Sequence, residues 1–233
     1  MISTIYRNLL NFILPNTCLA CDNVMDTAEN FLCKTCMGKL ESYGETHPWQ
    51  AEQIANGTII DSFSVFWFRE GTAIQPLFHA LKYQKIKRAG IMLGEEIGKL
   101  AVLKKINDID FVIPVPLHKA KQRDRTYNQS EYIARGINNI LKAEVVSDAV
   151  IRSRFTPTQT RLNKTERKIN VSGAFKVNPE YTDKLRGKNI LLADDVITTG
   201  ATILECASAL KAAGAGKLCI CSAAYAELKI NVV

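Results

Sequence analysis

The chain has 233 residues, 47% of them hydrophobic, with 30 basic against 23 acidic side chains and a formal net charge of +7. That length supports one good core with an appendage, and the apolar content excludes a disordered polyelectrolyte. No apolar run is long enough to span a bilayer, and a modest positive balance suits phosphorylated ligands or nucleic acid without requiring either.

In chain order, residues 1–14 lack a basic n-region, are interrupted by Arg7 and lead to no small-residue cleavage site, which argues against a secretory signal. Ile2, Ile5, Leu9, Leu10 and Ile13 recur at helical spacing with Pro15 as the stop, so the expectation is an amphipathic helix on a cytoplasmic protein. Cys18, Cys21, Cys33 and Cys36 follow as C-x2-C-x11-C-x2-C, two knuckles able to close a tetrahedral thiolate site around zinc. Two disulfides and four unrelated thiols are the competing readings; chance seldom places two such pairs so close. A closed four-sulfur site leaves no open coordination position. Zinc there is a staple, worth on the order of ten kcal/mol to a segment too small to fold alone. Cys206, Cys219 and Cys221 lie in apolar contexts where buried thiols are the default. His47 falls in the polar stretch E-S-Y-G-E-T-H-P-W-Q, with Gly44 and Pro48 as breakers. The division expected is a helix and ribbon over 1–45, a linker over 46–57 and a main domain over 58–233.

From residue 58 strand-like and helix-like segments alternate. Residues 59–68 read as a strand with Trp67 in the core, 72–83 and 89–103 as helices with Met92 in a core stripe, and 111–115 as a short strand. A helix opened by Asn128 runs to Leu141, and 143–151 reads as a weaker strand. Ile190–Ala193 is a buried strand, 201–213 a helix ended by Gly214, and 217–226 a last strand. This alternation predicts an α/β fold with a mostly parallel central sheet. The basic runs Lys82 to Arg88 and Lys99 to Lys105 read as solvated helix faces rather than a nucleic-acid patch.

The stretch N-I-L-L-A-D-D-V-I-T-T-G-A-T-I (189–203) carries the chemistry. In parallel sheets ligands sit beyond the carboxyl ends of strands, where Asp194 and Asp195 are expected. The T-T-G-A-T turn then opens a helix whose first N–H groups, with threonine hydroxyls, can cradle a phosphate. Carboxylates for a vicinal diol and a nest for a phosphate together describe a ribose 5-phosphate site. An ordinary acid- and Thr-capped helix start is the plainer alternative.

L-L-A-D-D-V-I-T-T-G-A-T resembles the phosphoribosyl-pyrophosphate motif of type I phosphoribosyltransferases. F-H-A-L-K-Y (78–83), V-I-P-V-P-L-H…R-T-Y-N-Q (112–129) and Q-T-R-L-N-K-T-E-R-K-I-N-V-S-G-A-F (159–175) are similar to the ComF family, also called amidophosphoribosyltransferase-like or GntX-like, which carries a comparable N-terminal cysteine ribbon. The resemblance implies a type I phosphoribosyltransferase-like fold preceded by a small zinc ribbon. It implies that Asp194 and Asp195 hold the ribose hydroxyls and that Thr198, Thr199, Gly200, Ala201 and Thr202 hold the 5-phosphate. It also implies that Val115, Pro116, Leu117, His118 and Lys119 bind pyrophosphate, with Mg²⁺ bridging diphosphate and ribose. The loop with Arg161, Lys164 and Arg167 would cover the site and shield a leaving pyrophosphate. His118 is either a further donor there or a structural turn residue. Thr126 stands where the family usually has glycine, which argues against a left-handed turn at that point or for a changed local register on the pyrophosphate side. No base-reading segment is evident; residues 40–60 and the ribbon are the candidates for a hood. Two functions follow: Mg²⁺-dependent transfer of phosphoribose to a nitrogen nucleophile, or a non-catalytic ligand sensor handling single-stranded DNA with a helicase-like partner in natural transformation. Tyr83 beside Lys82 and Tyr127 beside Arg125 are thin support for direct DNA binding.

Overall fold

The computed structural model describes residues 16–25, 31–117, 126–153 and 173–227. The expected N-terminal helix, His118 and Lys119, and the loop carrying Arg161, Lys164 and Arg167 lie outside the described residues. Five strands form one parallel sheet: β1 (Asp61–Trp67), β2 (Phe111–Pro114), β3 (Glu144–Val145), β6 (Ile190–Ile197) and β7 (Leu218–Tyr225), in the order β1-β7-β6-β2-β3. An antiparallel pair, β4 (Val150–Arg152) with β5 (Phe175–Val177), stands apart. The α/β expectation with a parallel sheet is met.

β7 is buried along its whole length and β6 from Ile190 to Ala193, because both are inner strands with cover on each face. One face packs Leu191, Ala193, Cys219 and Cys221 against α3 (Ile74–Tyr83), α4 (Lys87–Leu103) and α5 (Gln129–Leu141). The other packs Ile190, Leu192, Leu218 and Ile220 against α7 (Ala201–Ala212) and Leu185 of α6 (Thr182–Leu185). α4 and α5 meet backbone to backbone. A Cβ at Gly94 would lie 2.0 Å from the Ile133 carbonyl oxygen, and one at Gly136 2.0 Å from that of Ile91. Glycine there lets α5 lie close enough to bring its first turn to β6.

The cysteine segment docks on the first face: Cys18, Leu32 and Cys36 share a core with Phe63, Phe66 and Ile74. After α1 (Lys34–Met37), the chain runs antiparallel along β1, with Tyr43 N–H on the Val65 carbonyl and Trp67 N–H on that of Glu41, both at 2.8 Å. This covers the sheet's β1 edge.

Three sequence readings need correction. The weak strand over 143–151 is two pieces, β3 and β4, because Ser147 and Asp148 turn the chain between them. β6 does not stop at Ala193; it continues through both aspartates to Ile197, paired with β7 as Asp194↔Ser222 and Val196↔Ala224. His47 is not in a solvated linker but 2% exposed, just before α2 (Gln50–Ala55). Its Nδ1 lies 2.7 Å from Ser62 Oγ and its Nε2 2.9 Å from Ser64 Oγ. Ser62 donates its own proton to Gln50 Oε1, so His47 Nδ1–H donates to Ser62 and Nε2 accepts from Ser64. Burial holds the imidazole neutral, with its pKa lowered to about 4. No described helix is long and apolar enough to cross a membrane.

Candidate functional site

The acidic pair lies at the point where β6 outruns its neighbour. The β2 ladder ends with Pro114 opposite Ala193 and a 2.8 Å bond from Val115 N–H to the Ala193 carbonyl. Beyond it Asp194 and Asp195 meet side chains from α3 and the start of α5. Ser130 Oγ, in the first turn of α5, donates to Asp194 Oδ1 at 2.9 Å, and the Asp195 amide donates to the same oxygen at 2.8 Å. Lys82 Nζ, in the last turn of α3, pairs with Asp195 Oδ2 at 2.9 Å, both side chains largely covered. Burial and the adjoining Asp195 charge push the Asp194 pKa up to about 7, against the pull of the Asp195 amide, Ser130 and Lys82. Arg152, half-buried at the end of β4, is held below the usual arginine range by desolvation, while the nearby Asp194 charge favours its cation.

How α5 reaches Asp194 follows from R-T-Y-N-Q-S. Asn128 caps α5 by accepting from Ser130 N–H at 3.2 Å, and its amide nitrogen donates to the Val115 carbonyl at 3.0 Å. Tyr127 donates its hydroxyl proton to the Leu81 carbonyl, tying α5 to the turn that carries Lys82. Thr126 adopts φ +66°, so the left-handed turn is kept without a glycine. For an L-residue that conformation costs about 1–2 kcal/mol.

Past Ile197 the chain bends through Thr198 and Thr199 to Gly200, the N-cap of α7, at φ +78°. A Cβ at Gly200 would also lie 2.5 Å from Trp49 Nε1, so two independent constraints select glycine. Thr199 Oγ1 accepts from Ala201 N–H at 3.4 Å, and Ala201 and Thr202 open the helix with N–H groups that no earlier turn can satisfy. The whole turn lies within a few residues of the carboxylates, at the positive end of a twelve-residue helix.

A family model described as "phosphoribosyl transferase domain" matches residues 128–228. DNA utilization protein YhgH of Shigella flexneri is 29% identical over 159 residues, covering 64% of this chain and 66% of that protein. This chain thus spans just under two thirds of that relative's length. Competence protein F of Haemophilus influenzae is 25% identical over 221 residues, covering 89% of this chain and 94% of that protein. These matches support the sequence resemblance to the ComF family, and residues 128–228 are those matched as a phosphoribosyl transferase domain. Among solved structures, the allosteric regulatory enzyme of purine biosynthesis aligns at 16% identity and a TM-score of 0.41, over 63% of this chain and 30% of that one.

In this chain, Asp194, Asp195 and Thr198 to Thr202 fall in one strand-to-helix connection, and Val115, Pro116 and Leu117 leave the end of β2 beside it. Sequence reasoning missed Ser130 and Lys82. Lys82 stands four residues after the buried Phe78 and next to the buried Leu81, so helical spacing turns it inward rather than to solvent. Ser130 carried no signal beyond its place just after a cap.

The cysteine cluster has the spacing of a metal site. The four Sγ atoms lie within 4.8 Å of one another, and Cys21 Sγ and Cys33 Sγ are 3.8 Å apart, the separation expected of sulfurs about 2.3 Å from a shared tetrahedral zinc. Backbone amides already serve the sulfurs: Cys33 N–H donates to Cys18 Sγ at 3.3 Å, and Cys36 N–H to Cys33 Sγ at 3.4 Å. Although burial opposes it, amides of Cys33, Ala20 and Cys21 bring the Cys18 thiol down to about 6, while contact with Cys21 helps push Cys36 up to about 12. Four sulfurs this close favour only a first thiolate until a dication neutralises the rest. The donor set is compatible with a zinc ribbon.

Proposed function

We propose that the chain binds phosphoribosyl pyrophosphate with Mg²⁺ at the carboxyl end of β6 and transfers its phosphoribose to a nitrogen nucleophile. The observation that carries this is the union, in one connection, of Asp194 and Asp195 with the Gly200 turn at the start of α7. The carboxylates accept from the ribose diol, the turn takes the 5-phosphate, and Val115–Leu117 take the pyrophosphate, to which His118 and Lys119 are assigned by the family resemblance alone. Lys82 offsets one of the two acid charges, so a polyanionic ligand is not repelled. The acidic pair offers too few ligands for a cation cage of its own, which suits Mg²⁺, an ion usually held by one or two carboxylates together with substrate phosphates. When bound, Mg²⁺ would neutralise the diphosphate. In the transfer a nitrogen lone pair forms the bond to C1 with inversion. The C1–O bond breaks, its electron pair leaves with pyrophosphate, and the nitrogen gives up its proton. Arg161, Lys164 and Arg167 are assigned to the leaving group by the family resemblance alone. Zinc at Cys18, Cys21, Cys33 and Cys36 is a structural staple, and the reading places the chain in the cytoplasm, where thiols stay reduced.

The relatives' names, DNA utilization protein and competence protein F, favour a second reading of the same site. In it the ligand is sensed rather than consumed, and the chain acts in DNA uptake with single-stranded DNA or a helicase-like partner. Calorimetry with phosphoribosyl pyrophosphate and Mg²⁺, followed by a pyrophosphate-release screen over nitrogen acceptors, separates the two. Binding with release supports the transferase, binding without release under every acceptor supports the sensor, and no binding refutes both.

A further inference from the structure

Trp49 is 8% exposed, and its Nε1–H is buried with no acceptor among the described residues. The ring is not loosely placed. It stacks flat on His47, with centroids 4.8 Å apart and planes 3° from parallel, and His47 is in turn fixed by Ser62 and Ser64. This rigid stack aims the pyrrole edge of the indole at Gly200: a Cβ there would meet Nε1 at 2.5 Å, Cε2 at 2.6 Å and Cδ1 at 3.1 Å. An orphaned donor, held in one direction by a buried polar network, thus points into the first turn of α7. Buried N–H groups are rarely left unpaired, and the exceptions call for a ligand or a functional reason.

We propose that Trp49 is a further binding residue of this site, its indole N–H donating to an anionic oxygen seated at Gly200, and that it selects phosphorylated over unphosphorylated ribose. The inference rests on the phosphate-loop reading above and deepens it, because it brings residues 47–49, far from the loop in sequence, into ligand recognition. The loop itself covers the nitrogen, so an incoming oxygen reaches it only as the Thr198–Thr202 turn shifts outward. Occupancy therefore changes the surroundings of the indole. Trp49→Phe keeps an aromatic ring on His47 but deletes the donor.

The chain has two tryptophans, so a Trp67→Phe background leaves Trp49 as the sole indole reporter. Ribose 5-phosphate, inorganic phosphate, phosphoribosyl pyrophosphate with Mg²⁺, and ribose are the probes. The expected result is a saturable change in Trp49 emission with the phosphorylated probes and none with ribose. Trp49→Phe should weaken ribose 5-phosphate about tenfold or more, the scale of one hydrogen bond to a charged group, with thermal stability unchanged or raised because the orphan donor is gone. A merely structural tryptophan would move stability and leave affinity alone. If the parent binds the phosphorylated probes and Trp49→Phe binds them equally well, or if the indole ignores saturating ligand, the inference falls while the phosphate-loop reading stands. A parent that binds none of them overturns both. Should Trp49→Phe fail to fold, the emission of the Trp67→Phe variant decides the question.

Discussion

Lys82→Met replaces the ammonium facing Asp195 with an apolar stem of similar length. At 2.9 Å and an effective dielectric of about 20, the lost attraction is about 6 kcal/mol before solvation is counted. Breaking a buried pair by removing one partner costs about 3–5 kcal/mol. The side chains here keep 21% and 15% of their exposure, which argues for a smaller net loss of about 2–3 kcal/mol near pH 8. The pH dependence has a definite sign. Lys82 is one of the groups holding Asp194 down, so its removal raises a folded-state pKa that already stands at about 7, above the ordinary 3.8. A carboxyl whose folded pKa is raised favours the fold while protonated and loses that contribution as pH climbs through the folded value. The variant's deficit should therefore be largest at pH 8 and shrink towards pH 4. Urea unfolding followed by circular dichroism measures it: with a slope of about 2 kcal/mol per molar, the midpoint should fall by about 1 M at pH 8. An unchanged midpoint, or an equal drop at pH 8 and pH 4, would return Lys82 to the solvated helix face.

Protein purified under reducing, chelator-free conditions should carry about one zinc per chain, and Cys33→Ser should abolish it. Metal analysis finding none in the parent would remove the staple. Thr126→Gly should stabilise by about 0.5–1 kcal/mol, the relief of a left-handed β-branched residue less the extra freedom glycine gives the unfolded chain. Calorimetry should then show a rise of about 2 °C in Tm, and a fall would mean that the threonine side chain supplies more than the turn costs.

The alternation of periods made the parallel sheet legible, and Asn128 was legible as a helix cap because its signal is local. The acidic pair and Gly200 turn were legible as a unit because strand end, carboxylates and helix start are consecutive in the chain. What escaped depends on distant partners. His47 looked like a linker residue because E-S-Y-G-E-T-H-P is polar throughout, and its burial comes from Ser62 and Ser64, which alternate on one face of β1. β6 was read as ending at Ala193 because carboxylates disfavour buried strands; Ser130 and Lys82, on separate helices, make the continuation tolerable. Thr126 shows the converse, a local rule overridden: Tyr127 and Asn128, the two residues that follow it, are anchored strongly enough to hold a threonine at positive φ.

Calorimetric titration of phosphoribosyl pyrophosphate with Mg²⁺ into the parent and into Gly200→Val tests the central claim most directly. A branched side chain at φ +78°, with its Cβ pressed on Trp49, should displace the turn and bring binding below detection while the sheet and helices keep the circular dichroism of a folded protein. Asp195→Asn, which leaves the loop intact, should weaken binding roughly tenfold to a hundredfold, the loss of charge-assisted bonds to the diol. Inorganic pyrophosphate should bind all three much alike. Parent-like affinity for phosphoribosyl pyrophosphate in both variants would reduce the aspartates and the loop to an ordinary helix start, and the site proposed at the end of β6 would be wrong.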